Sequence, residues 1–293
     1  MQLKLQEILI RAKKERWATG HFNVSELDHM RAIVEACKEV GAPAIIGTSE
    51  GERHHVGLLE AVALRDAFRN EYGIPVFLNA DHSKSVETAK AAVDAGYDSI
   101  HIDLSAKPYE ENIAGTKELI EYARRVASSK KQVVSIEGEL GYLKGESKIQ
   151  TEKIEVSPED YTKPEEAKEF VASTGVDRLA IVVGNIHGIS LDEPALDIER
   201  IRVIRAAVPE EVALVLHAGS GIPDDQIKAA VAAGIANIHI NTDLRVAYAG
   251  ALKDAIAAHP DEVAMYKLDA SAVEAMRNLV REKLQVFGSA HRI

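Results

Sequence analysis

Residues 75–105 read PVFLNADHSKSVETAKAAVDAGYDSIHIDLS, and this stretch decides the fold. PVFLNAD (75–81) has the apolar run of a strand, Ser85 to Ala95 repeats apolar residues at helical spacing, and SIHIDLS (99–105) is strand-like again. Gly96 follows the helix where a left-handed C-cap belongs. Strict alternation of strand and helix demands a parallel sheet, because parallel neighbours need a crossover between them.

The same unit repeats outward in both directions. Further strands are expected at 20–24, 43–49, 132–140, 178–185, 213–219 and 237–243, which makes eight in all. Helical spacing covers Leu27 to Val40, Gly57 to Tyr72, Tyr109 to Ser128, Pro164 to Ser173, Asp197 to Ala207, Asp224 to Ala233 and Leu244 to Ala258. Gly41, Gly73, Gly175 and Gly234 punctuate these units as Gly96 does. Right-handed crossovers leave a doubly wound sheet or a closed barrel, and no GxGxxG follows the first strand. Eight units in 293 residues favour a single (β/α)8 TIM barrel over 1–293, with an additional C-terminal helix at about Ser271 to Val286. The polar stretch at about 141–160 has no period and is expected to be a long mobile loop.

Composition narrows the partners. The 35 Lys and Arg against 46 Asp and Glu give a net charge of -11, which repels nucleic acid and anionic membrane. An anionic substrate would need a local positive site. Cys37 is the single cysteine, so an internal disulfide framework and cysteine metal clusters are excluded, and a cytoplasmic setting is expected. No signal peptide or membrane span is recognisable.

A barrel of this kind builds its active site from strand C-terminal ends and the loops that follow them. Here those ends carry Asn23, Ser49, Asp81 with His82, Asp103 with Ser105, Glu137 with Glu139, His187, His217, and Asn241 with Asp243. His82, His187 and His217 stand at three different strand ends. The fold would bring three imidazoles together above one rim, the donor set of a catalytic zinc-type site. His101 sits mid-strand, where packing explains it equally well. Asp81 is read as an orienting or acid/base group. Asp103, Glu137 and Glu139 would hold a second cation or neutralise interior Lys and Arg, with Glu139, at the head of the long loop, the better ligand. HGIS (187–190), HAGSG (217–221) and NTD (241–243) offer backbone N–H groups for a phosphate.

These motifs resemble the class II, metal-dependent fructose-bisphosphate/tagatose-bisphosphate aldolases. The likeness runs through HFNV (21–24), NADHSKS (79–85), SIEGELG (135–141), the block from Tyr161 to Gly188, LVLHAGSGIP (214–223) and GIANIHINTDLRVAY (234–248). The resemblance implies that His82, His187 and His217 hold Zn2+, with Glu139, and Asp103 beside it, near an alternative metal position or a second or monovalent cation. It implies that Asp81 is the acid/base residue at the acceptor hydroxyl and that Glu146 moves the donor's proton. Gly188, Gly219, Ser220 and Thr242 would bind a phosphate, Asn241 would donate to a phosphate or hydroxyl, and Asn23 and Ser49 would border the substrate. A sugar phosphate as partner and a homodimer or homotetramer follow from the same resemblance. Cleavage between the third and fourth carbons of a ketose leaves negative charge that a metal can stabilise. A Schiff-base route would need a lysine at a strand end, whereas Lys84 and Lys107 lie beyond the ends.

The chain also departs from that family's pattern. Asn185 stands where threonine is usual, Ser190 and Leu191 where tyrosine and the phosphate lysine are usual, Ala218 for glycine, and His239 and Asn241 for asparagine and aspartate. The implied metal set is intact while the substrate site is altered. Three functions therefore compete: an aldolase for fructose 1,6-bisphosphate, a metal-dependent aldolase for another phosphorylated ketose such as tagatose bisphosphate or a deoxy or sulfo sugar phosphate, and a sugar-phosphate-binding protein with poor turnover.

Overall fold

The computed structural model describes residues 4–130, 133–189 and 195–293. Its strands are β1 (Thr19–Asn23), β2 (Ala44–Thr48), β3 (Val76–Ser83), β4 (Ser99–Ile102), β5 (Ser135–Leu140), β6 (Gly145–Ile149), β7 (Arg178–Ile181), β8 (His187–Ile189), β9 (Ala213–Leu216) and β10 (Ile235–Ile240). Its helices are α1 (Leu5–Glu15), α2 (Leu27–Val40), α3 (Glu50–Val56), α4 (Leu58–Tyr72), α5 (Val86–Ala95), α6 (Tyr109–Lys130), α7 (Pro164–Thr174), α8 (Ile198–Ala207), α9 (Asp224–Ala233), α10 (Thr242–Ala258), α11 (Met265–Leu268) and α12 (Ala270–Val286). Eight strands close into a parallel barrel in the order β1, β10, β9, β7, β5, β4, β3, β2. This is the (β/α)8 TIM barrel expected, and α12 is the additional C-terminal helix, packed on α2 and α10. No described helix is long and apolar enough to cross a membrane.

Strand alternation sorts the core into two regions. Outward-facing Ile46, Leu78, Ile100, Ile136, Leu179 and Leu214 pack against helix residues such as Phe68, Val93, Leu119 and Phe170 in one apolar annulus. The bore itself is layered. At its floor Ile45, Phe77 and Ala213 meet Leu5, Ile8 and Leu9 of α1. Each of those three aliphatic side chains contributes about 2 kcal/mol by leaving water. Above the floor the inward positions turn polar, with register pairs Thr19 and Asn237, Asn79 and Ser99, and Glu137 and Arg178. At the top, His21 lies in register with His239 and His101 with Glu137.

One expectation needs correction. The stretch at about 141–160 is not a plain loop: β6 pairs in parallel with β8, and Pro158–Asp160 forms a 3-10 turn. Both glycines of this ribbon are left-handed, Gly145 at φ 94° and Gly188 at φ 91°. A Cβ on Gly188 would meet the Lys148 carbonyl at 2.3 Å, so glycine permits the approach. Because β6 is exposed along most of its length, it carries no buried face and hence no hydrophobic period. The first residues also form a helix, α1, whose charges fall on its outer side.

Candidate active site

β3 ends in a backbone irregularity that makes the site. Asp81 and His82 are neighbours, so on a regular strand their side chains would diverge. His82 adopts φ 44°, and the β3–β4 register shifts between Ala80 and Ser83. Both side chains thereby line one cavity. A non-glycine residue in this region carries about 1–3 kcal/mol of strain, typical of functional positions.

His82 stands between the other two predicted histidines, but among the described residues its ligand atoms cluster within 4.8 Å with those of His217, His101 and Asp81, and His187 belongs to no such cluster. The His82 ring lies 5.1 Å from that of His187 and 4.7 Å from that of His217, centroid to centroid. His82 Nδ1–H donates to Asp103 Oδ2 at 2.8 Å, and His217 Nε2–H donates to Glu137 Oε1 at 2.6 Å. Each ring is thus held by a carboxylate on one nitrogen, leaving His82 Nε2 and His217 Nδ1 for a cation, the usual arrangement around zinc. Burial, together with the neighbouring His82 and His217, pushes His187 down to about 3. Burial likewise pushes His217 down to about 4, against the pull of Glu137. Both rings are therefore neutral donors at physiological pH, whereas His82, despite its burial, is held above the ordinary histidine value by Asp81 and Asp103; the clustered donors Asp81, His82, His101 and His217 are of the kind a zinc-type ion takes. Asp103 serves as the partner of His82, and it also forms a cluster with His82 and Glu139 whose ligand atoms lie within 4.8 Å of one another.

Glu137 neutralises an interior arginine, one of the two roles left open for it, and its carboxylate also clusters with His217 and His239. Its Oε2 pairs with Arg178 Nη1 at 2.6 Å, with both side chains fully buried. Burial alone would raise this carboxyl, yet Arg178 and His101 beside it hold it well below the usual carboxylate range. Arg178 also donates to Asn79 and Ser99, so the middle of the bore is a charge-balanced clamp under His217.

Three further histidines surround the triad. His101 Nδ1 accepts from the His82 backbone N–H at 3.2 Å, and its Nε2 faces Glu139 Oε2 at 3.2 Å. His101 is thus part of the site, and ordinary packing does not account for it. His21 stacks on His239 with centroids 3.5 Å apart and an interplanar angle of 10°. His239 Nδ1 lies 3.3 Å from Asp81 Oδ1. The His21 ring packs against Gly47, where a Cβ would meet its Cε1 at 2.1 Å.

The predicted substrate residues divide. Asn23, Ser49, Gly188, Ser220, Asn241 and Thr242 line the cavity of about 250 Å³ that holds Asp81 and the triad. Gly219 does not line it; its N–H donates to the His239 carbonyl at 2.9 Å, and a Cβ there would meet Ile238 at 2.7 Å. Ser220 Oγ accepts from Asn241 N–H and Asp243 N–H, so two amides of the predicted cradle already have a partner. Glu146 stays outside, its exposed carboxylate paired with Lys148 at 2.7 Å, and it lines a larger adjoining cavity of about 620 Å³. Ser190 and Leu191 lie outside the described residues.

One departure acquires a reason and another carries strain. Asn185 donates to the His217 carbonyl at 3.0 Å and accepts from Val183 N–H at 2.8 Å, so it braces His217. Ala218 sits at φ 56°, where glycine is easier. Ala218→Gly is expected to raise stability by up to about 1 kcal/mol, since relief of the left-handed Cβ contact exceeds the added unfolded-state entropy. An unchanged or lower denaturation midpoint would contradict the strain.

Comparison with known proteins shows the family. The family model described as fructose-bisphosphate aldolase class-II matches residues 3–292. A fructose-bisphosphate aldolase of Staphylococcus aureus is 35% identical over 293 residues, covering 99% of this chain and 98% of the relative. A probable fructose-bisphosphate aldolase of Bacillus subtilis is likewise 35% identical, with 99% of each chain covered. The crystal structure of the YdjI aldolase from Escherichia coli K12 superposes with a TM-score of 0.81 at 30% identity, covering 99% of this chain and 98% of that one. The chain belongs to the class II fructose-bisphosphate aldolase family of carbon–carbon lyases.

Proposed function

We propose that the protein is a zinc-dependent aldolase that reversibly cleaves fructose 1,6-bisphosphate to dihydroxyacetone phosphate and glyceraldehyde 3-phosphate. The observation that carries this reading is the carboxylate-braced pair His82 and His217 beside His187, with Asp81 on the same cavity. His82, His187 and His217 would hold the zinc, which when bound supplies a Lewis acid for the ketone. Asp81 takes the proton of the hydroxyl on the fourth carbon as the bond between the third and fourth carbons breaks. That hydroxyl becomes the aldehyde, and the electron pair of the broken bond passes toward the ketone. Asp81 is nearly fully buried, and Asn23 Nδ2 donates to its Oδ2 at 3.0 Å, so the carboxylate is held rather than free to rotate. Glu146, which lines the adjoining cavity, returns a proton to the third carbon. Thr242, Ser220 and Gly188 border the phosphate. Assembly as a cytoplasmic homodimer or homotetramer belongs to the same reading.

His239 beside Asp81 favours a second substrate. An imidazole occupies the wall that faces the acid/base carboxylate, so an epimer or a deoxy or sulfo sugar phosphate could fit better there. One experiment separates the possibilities. Protein stripped with EDTA and reloaded with zinc is assayed on fructose and tagatose bisphosphates and on related ketose phosphates. Cleavage should vanish on stripping and return with zinc; full cleavage in metal-free protein would sink the metal mechanism. Tight ketose phosphate binding by calorimetry, with no aldehyde released from any substrate, would favour a binding protein instead.

A further inference from the structure

The floor of the barrel holds another cavity, at the end opposite the histidines. It has a volume of about 460 Å³ and lies between the start of α1 and the N-terminal ends of β3, β4, β5 and β7. Leu5, Val62, Phe77, Val133 and Val134 give it apolar walls. Arg65 and Arg69, which also line it, are already balanced. Arg65 pairs with Asp66 at 2.9 Å and Asp98 at 2.8 Å, while Arg69 takes the other Asp98 oxygen at 2.8 Å and lies 3.4 Å from Asp66. Two cations and two carboxylates cancel there, and Lys4, the remaining cation of the lining, is exposed to solvent.

The wall formed by Gln6, Ser135 and Asp177 is not balanced. Asp177 is partly buried and makes no ion pair among the described residues; its Oδ2 accepts from Ile136 N–H at 2.8 Å. Burial raises this carboxyl above the usual value, against that hydrogen bond and the more distant Arg178 and Arg124. Ser135 is 4% exposed, and its hydroxyl has no hydrogen-bond partner among the described residues. Gln6 spends both amide hydrogens on carbonyls, that of Asp177 at 3.1 Å and that of Glu211 at 2.6 Å. This fixes the orientation of the amide and leaves its Oε1 buried without a donor. Buried polar groups without partners are rare in folded proteins. A water molecule would satisfy the two neutral oxygens but leave the carboxylate's charge, whereas an ammonium supplies three N–H donors and the opposite charge together. We propose that this cavity binds a primary ammonium compound with an apolar chain or ring, its ammonium held by Asp177, Ser135 and Gln6 and its apolar part lying toward Leu5 and Phe77. The site stands apart from the metal centre and is independent of the aldolase reading.

Titration calorimetry of the zinc-loaded protein with 1-hexylamine at neutral pH tests the site. One equivalent should bind with a Kd of about 0.1–1 mM. EDTA-treated protein should bind the amine equally well. Asp177→Asn keeps an acceptor for the Ile136 N–H but loses the charge, and it should weaken binding by about 10- to 100-fold. Ser135→Ala removes only a hydroxyl that bonds nothing in the protein, so its melting curve should match the wild type while its affinity falls by about 2- to 10-fold. Tetramethylammonium, which carries the charge without N–H donors, should not compete. No saturable binding of hexylamine up to about 10 mM, loss of binding with the metal, equal competition by tetramethylammonium, or unaltered affinity in both variants would each overturn the site.

Discussion

His82→Ala is expected to abolish metal retention and cleavage together. The substitution removes the one ring adjacent to both of the others, and it also frees Asp103 from its 2.8 Å bond. Asp103→Asn should be the graded counterpart. It keeps a hydrogen-bonding side chain beside His82 but loses the carboxylate's charge, which should cost about 10- to 100-fold in metal affinity or activity. Zinc per chain by mass spectrometry, read beside cleavage, checks both. Retention of stoichiometric zinc by His82→Ala would show that the ion is held without His82, with His101 and Asp81 beside His217 the first candidates.

The second large effect concerns stability. Arg178→Met should destabilise the fold by about 3–5 kcal/mol, because it leaves Glu137 charged, buried and unpaired in the bore. For a domain of this size, that corresponds to a melting temperature lower by roughly 10 °C. Adding Glu137→Gln should restore most of the stability by removing the orphaned charge, yet it weakens the brace on His217, so zinc should bind less tightly. A melting curve for Arg178→Met that overlays the wild type would show that the clamp contributes little to the fold.

Much of this was legible in the sequence, for a physical reason. Eight strands alternating with helices and punctuated by Gly41, Gly73, Gly96, Gly175 and Gly234 leave little topological choice, and all five glycines have positive φ. Strand ends shifted because parallel ladders stop where site residues peel away. The stretch 178–185 was expected as strand, but pairing ends at Ile181 so that Asn185 can reach His217. The histidine triad was visible from its places at three strand ends. His21 was not singled out, His101 was weighed as packing and His239 was noted only as a departure from the family pattern, although the signal for all three is present. HFN, SIHID and NIHIN alternate polar with apolar residues, and in a barrel every second residue enters the bore. Gln6 and Asp177 could not be found that way. They lie 171 residues apart in sequence, and only the tertiary fold brings them together.

The layering of the bore separates what the protein must keep from what it can change. Apolar burial between sheet and helices, the floor under α1 and the Arg178 clamp hold the barrel together below the level of chemistry. The described departures from the family's usual pattern, Asn185, Ala218, His239 and Asn241, all lie above that level. The rim can therefore exchange one polar group for another without altering the packing that closes the barrel, and substrate preference can drift while the fold stays fixed.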